Sequence, residues 1–408
     1  MNEIYNKYYV GIIYNPYKKD TSINAIVYID DKGIATISSI NGLWDNEYKP
    51  MDNISMGYGF IHNVEDNNKT YTIQLLDIIQ ISQNFSPLTK YRYRSNEILI
   101  AEGIDKNVWK NTCYNTLLLT SKSFSRWVKI SGLKTKIKDL TNFDIAQNYI
   151  KPETIDIFDN KEKSIQIFFR AQASAAYNRE VYIKEQVFLL VKIKNLADKN
   201  ETLSIRAKID RLLILILDTP LISDMEMRNE NGFYYKYLKP NHFYNERDIV
   251  SPIDFEYFLN NSQIIFEKWF EKQKILDLFI RRFFGVFGRY GIFVEDKFLT
   301  YISILENFYK YKYKNKVNLK KQLLTIFTLS SLNEKIKDID NYVETLKITR
   351  NYLTHSEEKH EKKSLSNIGM DKTNRVLEFL IRELLLKELS IENIKGCKYC
   401  SYDIIKNQ

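Results

Sequence analysis

The sequence predicts an α+β protein: a β-rich N-terminal region of sandwich or barrel type, followed by an all-helical bundle. Three observations predict it. Short runs of β-branched and aromatic residues, broken by turn residues, fill the first half of the chain. A loop-like stretch from Lys239-Pro240-Asn241-His242 to Ser251-Pro252 ends that pattern, and beyond it apolar residues recur at helical spacing. The charge is also uneven. Of the net +9, residues 262–408 hold 27 Lys and Arg against 19 Asp and Glu, an excess of 8, while residues 1–261 hold 33 against 32, an excess of 1. A basic domain beside a neutral one points the C-terminal part toward an anionic partner, with nucleic acid first in line and plain solubility as the alternative.

Taken in order, Ala25–Asp30 and Ile34–Ile37 flank the turn Asp31-Lys32-Gly33 and predict a hairpin. Further strands are predicted over Thr70–Leu75, Tyr91–Arg94, Asn96–Ile100, Arg126–Ile130, Ser164–Phe169 and Val181–Val191. Arg206–Leu217 reads as a helix, with Ile209, Leu212, Leu213 and Ile216 on one face. After the loop, helices are predicted over Ile264–Phe287, Lys297–Tyr311, Val317–Leu329, Lys335–Tyr352 and Thr373–Leu389, a bundle of roughly 140 residues. The expected division is residues 1–255, with a possible internal split near 140, and residues 256–408.

The longest apolar run, Leu212–Leu217, is far too short to span a bilayer. Met1-Asn2-Glu3-Ile4-Tyr5 carries no basic-then-apolar leader, and three Cys make no disulfide framework, so a reducing cytoplasm is expected. The high Tyr and Phe content, 29 and 23 residues, fits an AT-rich coding sequence.

Chemistry gathers at Arg350-Asn351-Tyr352-Leu353-Thr354-His355. Asn351 and His355 are four apart and share a helix face. Arg350 sits about 100° round the axis from Asn351. If the helix frays after Tyr352, the imidazole can swing beside the guanidinium. A neutral His, with a pKa of about 6.5, is suited to take the proton from a ribose 2′-hydroxyl. The oxygen then attacks the adjacent phosphorus, and an Arg fork stabilises charge growing on the phosphoryl oxygens. The amide of Asn351 orients the His or holds a phosphate oxygen. The products are a 2′,3′-cyclic phosphate and a 5′-hydroxyl, and no cofactor is needed. Spacing alone is weak, since an Arg five residues before a His also occurs at ordinary solvated helix ends.

The run resembles the Arg-x4–6-His motif of HEPN ribonucleases, most closely the variant that begins Arg-Asn. Ile304-Leu305-Glu306-Asn307-Phe308-Tyr309 resembles the second helix of the Apea-like HEPN domain, and Arg375–Leu386 resembles its closing helix. This resemblance covers about residues 262–390. A looser one covers the front: Gly42-Leu43-Trp44 and Ser125-Arg126-Trp127-Val128 look like the N-terminal domain preceding such HEPN domains in anti-phage proteins. The resemblance implies a homodimer whose two motifs form one cleft and cleavage without metal. It also implies abortive-infection or toxin activity against tRNA or mRNA, with the front region as a sensor of a phage-derived trigger. By the motif match Arg350 and His355 are catalytic and Asn351 supports them, while Glu306 either contacts the motif or is a surface carboxylate. The loop after the motif departs from the family in its charge. His360 lies too far from Arg350 to replace His355, and Lys359, Lys362 and Lys363, with His360, either grip RNA phosphates or form a solvated run. A non-catalytic HEPN module that binds nucleic acid or nucleotide, a metal-dependent nuclease, and a β-domain receptor with merely dimerising helices are the competing readings.

Four weaker signals complete the reading. Cys397-Lys398-Tyr399-Cys400 lacks a second pair, so zinc would need Cys113 and a His or a second chain. Gly285, Gly288 and Gly291 match no phosphate-binding motif and are expected to end a helix and turn the chain. Glu295-Asp296-Lys297 contains a Glu-x-Lys element of metal-dependent nucleases, but without the strand context that chemistry requires. Trp44, Trp109 and Trp127, with the many Tyr of the front region, either stack on sugars or bases or, as is more common, pack in a core, and no site is assigned to them.

Overall fold

The computed structural model describes residues 4–15, 18–40, 54–65, 69–84, 90–107, 113–139, 144–173, 183–238, 251–289, 291–356 and 358–392. The chain divides into two compact units. The β unit comprises Met1–Ser125, Ile130–Lys208 and Ile222–His242; the helical unit comprises Arg126–Lys129, Ile209–Leu221 and Phe243–Gln408.

The β unit is built on six strands that are consecutive in the chain. They are β1 (Lys7–Asn15), β2 (Lys18–Ile29), β3 (Ala35–Ser39), β4 (Ile54–Asn63), β5 (Thr70–Asn84) and β6 (Lys90–Glu102). Their order β6-β3-β2-β1-β4-β5, with β5 pairing back onto β6, closes an antiparallel barrel. Alternate residues point inward, so Tyr9, Ile13, Val27, Ile29, Ile37, Ile61, Ile73 and Tyr93 form the core. The expected hairpin is β2–β3, with Gly33 at φ +81 in its turn. Tyr91–Arg94 and Asn96–Ile100 join into one strand, because Ser95 turns its hydroxyl onto Leu76 O and Glu97 O instead of breaking the ladder.

β6 has a second role. Its first half pairs with β3 and its second half, Ile98–Ile100, pairs with β14 (Tyr234–Leu238). From there an open antiparallel sheet continues through β13 (Asp224–Asn229), β7 (Tyr114–Thr120), β12 (Ile183–Ala197), β11 (Lys163–Ala173) and β10 (Ile155–Asp159). β8 (Leu133–Asp139) and β9 (Asp144–Tyr149) form a separate ribbon. The region is thus β-rich and of barrel type, as expected.

One predicted strand is a helix. Residues 126–130 do not pair; α1 (Lys122–Trp127) ends there, started by Ser121, whose hydroxyl accepts from Phe124 N–H at 3.1 Å. Trp127, expected in a β core, works in the helical unit. Its indole N–H donates to Ile253 O at 2.9 Å, and its ring packs on Phe255 and Phe258. α2 (Lys199–Leu217) begins seven residues before its predicted start, because Asp198 and Glu201 exchange side-chain bonds with each other's backbone N–H in a capping box. Gly42-Leu43-Trp44, Trp109 and most of the Lys239–Pro252 loop lie outside the described residues.

The helical unit is built from α3 (Phe255–Val286), α4 (Val294–Tyr313), α5 (Leu319–Thr328), α6 (Ile339–His355), the single turn α7 (Glu358–Glu361) and α8 (Asn367–Glu388). α3 starts nine residues earlier than periodicity predicts, capped by Asp254, which accepts from Glu256 N–H. It ends at Val286, and Gly288 and Gly291 at φ +67 and +73 turn the chain. A Cβ at residue 288 would lie 2.2 Å from Pro220. α8 occupies the middle of the bundle, with even Glu378, Arg382 and Glu383 buried. Each of these charges is paired: Glu378 with Lys297 at 2.5 Å and Tyr301 Oη at 2.7 Å, Arg382 with Asp218, and Glu383 with Ser330, Ser331 and Lys387. Lys297, half-buried, is thereby engaged as the structural partner of Glu378. Among the described residues, no helix is long and apolar enough to cross a membrane.

Candidate functional site

The site is built on α6. Asp338 caps its first turn by accepting from Asn341 N–H at 3.1 Å. Tyr342, Val343, Leu346 and Thr349 fall on one face and are buried. That leaves Arg350 and Asn351 just off the core face, partly exposed, at the crossing with α4. Arg350 Nη1 donates to Asn351 Oδ1 at 3.4 Å, and its Nε lies 3.7 Å from Glu306 Oε1 on α4. The side chains of Arg350 and Glu306 keep 31% and 21% of their exposure, so this ion pair is weakly held, on the order of 1 kcal/mol or less.

The helix does not fray after Tyr352. It continues through His355 and closes at Ser356, which takes φ 50, ψ 36 and donates its N–H to Tyr352 O at 2.8 Å. Five positions apart on an unbroken helix, Arg350 and His355 diverge by about 140°. His355 is exposed and makes no hydrogen bond or ion pair among the described residues. The structure therefore brings Arg350, Asn351 and Glu306 together and leaves His355 on the Asn351 side, one turn on. The expected swing of the imidazole onto the guanidinium of the same chain does not occur, because the capped helix fixes both directions.

The segment after the motif is short and tethered. Thr349 is fully buried; its Oγ1 donates to Thr345 O and accepts from Leu365 N–H at 3.0 Å. The chain from Ser356 to Ser364 is thus a closed excursion beside the motif. It carries α7, with His360 half-buried, and Lys362 and Lys363 exposed without an ion pair among the described residues. The side chain of Lys359 lies outside the described residues, as do Cys397 and Cys400. Toward the start of α6 the acids are neutralised. Hydrogen bonding to Asp340 holds Lys320 above the usual lysine range, and hydrogen bonding from Lys347 holds Glu344 below the usual carboxylate range. The α6 carboxylates Asp340 and Glu344 are thus engaged by lysines, and among the described residues Arg350 pairs with the Glu306 carboxylate.

Among the described residues, no group of three or more His, Cys, Asp or Glu is placed to hold a metal. A cavity of about 920 Å³ lies on the β unit instead, on the outer face of the barrel, lined by Val10, Ile12, Ile26, Phe60, His62 and Arg92 among others. It is mainly apolar, and His62 in it bonds Thr70 Oγ1 at 3.1 Å, so among the described residues that line it there is no acid–base pair comparable to the α6 site.

Two family models match the chain. One, described as ApeA N-terminal domain 1, matches residues 8–273; the other, Apea-like HEPN, matches residues 274–394. The first alone takes in well over half of the chain, and the second contains α4, α6 and every candidate site residue from Glu306 to Lys363. The two matches meet inside α3. No curated protein and no solved structure matches.

Proposed function

This chain belongs to the ApeA-type HEPN proteins, a defence-related nuclease family, and on that premise we propose that it is an endoribonuclease that cuts tRNA or mRNA without metal. The observation that carries the reading is the gathering of Arg350, Asn351 and Glu306 where α4 crosses α6, with a free imidazole one turn away on the same helix.

His355 takes the 2′-hydroxyl proton, and the oxygen attacks the neighbouring phosphorus. Arg350 turns from Glu306 to the phosphoryl oxygens. The weak, half-exposed ion pair allows this, because an RNA phosphate offers the guanidinium a bidentate partner in its place. Asn351 holds the guanidinium on its other side. The bridging oxygen leaves as a 5′-hydroxyl by taking a proton from solvent water, His355 later returning its own proton to solvent, and the phosphorus remains in a 2′,3′-cyclic phosphate. The divergence of Arg350 and His355 within one chain gives dimerisation a chemical reason: a second copy supplies the group that one copy points away. The β unit is then the sensor of a phage-derived trigger, with the barrel cavity as the place to look for it, and the outcome is abortive infection.

The test is end-mapping of cellular RNA after induced expression of wild type and His355→Ala. Wild type should leave 2′,3′-cyclic phosphate ends that the variant does not, with the same cut pattern in vitro in EDTA. Loss of cutting in EDTA, or cutting by a folded His355→Ala protein, rules the mechanism out. RNA binding without any cutting favours a non-catalytic HEPN module, a reading supported by the absence of an Arg350–His355 contact in one chain.

A further inference from the structure

Between Glu306 and Glu334 the chain has no acidic residue and six lysines, at 310, 312, 314, 316, 320 and 321, with Tyr309, Tyr311 and Tyr313 alternating among the first of them. The structure sorts this run. Lys312 pairs with Glu388, and Lys320 pairs with Asp340 and Glu344. Lys310, Lys314, Lys316 and Lys321 make no ion pair among the described residues, and all are exposed. The tyrosines divide in the same way. Tyr309 is buried, Tyr311 packs on Phe279 and Phe308, and Tyr313 keeps 36% of its surface with one ring face against Tyr309 at 4.8 Å.

Position on α4 ties the unpaired groups to the Arg350 site. Glu306, Lys310 and Tyr313 follow at i, i+4 and i+7, and Lys314 comes next at i+8, so one stripe of the helix carries all four. From Glu306 the rise to Lys310 is about 6 Å and to Lys314 about 12 Å. Lys314 ends α4 in a left-handed conformation, Asn318 caps α5 through Lys321 N–H, and Lys316 and Lys321 flank that turn. The result is a row of free ammonium groups beside one open aromatic face, leading to the carboxylate that holds Arg350.

We propose that this α4–α5 corner is a landing surface for single-stranded RNA, Lys310, Lys314, Lys316 and Lys321 taking successive phosphates and Tyr313 stacking on one unpaired base; the inference rests on the reading of the Arg350 site as the place of cleavage. Every base offers a face to Tyr313, so the surface grips without choosing sequence, whereas a duplex keeps its bases stacked on each other. An acidic protein would use the ammonium groups but have no need of the ring.

The experiment uses the full chain carrying His355→Ala, so that nothing is cut, and a fluorescein-labelled uridine 16-mer read by anisotropy across a salt series. Replacing Lys310, Lys314 and Lys316 together by Ala should lower the slope of log affinity against log salt by about 2. Tyr313→Ala should weaken binding at least about fivefold at one salt concentration. Replacing Lys161, Lys184 and Lys192, exposed lysines of the β unit, by Ala makes the same change in net charge and should do neither. Equal loss in that control, equal affinity for a 16-base-pair RNA duplex, or displacement of the RNA by polyglutamate as effective as by unlabelled uridine 16-mer overturns the proposal. The two readings fail separately. Corner variants that bind as the parent does, in a protein that cuts, sink this one alone; RNA held at the corner by a wild type that never cuts sinks only the catalytic reading.

Discussion

α8 and α6 lie in the same bundle and use charge in opposite ways. On α8, Glu378, Arg382 and Glu383 are all under a tenth exposed, and each meets a partner. On α6, Arg350 is a third exposed with a loose partner, and His355 is exposed with none among the described residues. Taking an ion out of water costs several kcal/mol, so the α8 charges persist only because their partners offset that cost. The α6 groups are only partly desolvated, Arg350 keeping about a third of its exposure and His355 standing in solvent. They contribute little to stability and are free to meet something else. Burial and pairing, more than residue type, separate the structural charges of this bundle from the available ones.

That contrast can be broken first at its strongest point. Arg382→Ala removes the buried ion pair with Asp218 and should cost about 3–5 kcal/mol in a denaturant titration; a loss below 1 kcal/mol would mean that α8 is no more committed than α6. Next come the α6 residues themselves. His355→Ala should lower single-turnover RNA cleavage by roughly 100- to 10,000-fold, and Arg350→Ala by roughly 100-fold or more, while the denaturation midpoint of either hardly moves. A midpoint that falls with the activity would reduce both to structural residues. A smaller effect is expected of Glu306→Gln. Freed of its carboxylate, Arg350 should bind RNA a few-fold more tightly in the anisotropy assay, by up to about 1 kcal/mol; weaker binding would show that Glu306 positions the guanidinium instead of competing for it.

The smallest effect is a pH dependence at the end of α8. Burial pushes the Glu388 carboxyl up, but hydrogen bonds and charge from Lys272 and Lys312 outweigh it and hold the group below its ordinary value of 4.5. A carboxyl depressed in the folded state stabilises fully above its unfolded pKa and loses that contribution as pH falls through the folded one. Lys272→Gln should therefore flatten the fall in thermal midpoint between neutral pH and pH 4, with little change in shape above pH 6. An unchanged acid limb would remove Lys272 from the account.

The sequence made the bundle legible because its helices alternate buried and exposed faces at one period. The start of α2 escaped because Asp198 with Glu201 starts a helix whose first turn carries few apolar residues, whereas Phe255, Phe258 and Leu259 after the Asp254 cap already follow helical spacing and were hidden only by the polar Asn260-Asn261-Ser262-Gln263 that follows them. The strand expected over Arg126–Ile130 failed for a related reason. Trp127 and Val128 are buried, but Trp127 serves the first turn of α3, a partner 126 residues away that no local pattern reports. At the site, the motif pointed to Arg350, Asn351 and His355, and the spacing gave the shared helix face of Asn351 and His355. It did not give the cap at Ser356, on which the direction of the imidazole depends. The lysine run after Glu306 stood in plain view but follows no catalytic motif, and only its unequal pairing set four members apart.

The double use of β6 bears on how the protein is made. All six barrel strands lie within Lys7–Glu102, so the barrel has its full set of partners early in synthesis, while Tyr234–Leu238, which covers the second half of β6, emerges only after the rest of the open sheet. Until then the newborn chain carries a finished barrel with an uncovered strand border at Ile98–Ile100, an apolar edge of the kind that invites wrong pairing in a crowded cell. Slow translation between those two segments would lengthen that exposure, and a holding chaperone would shorten its consequences.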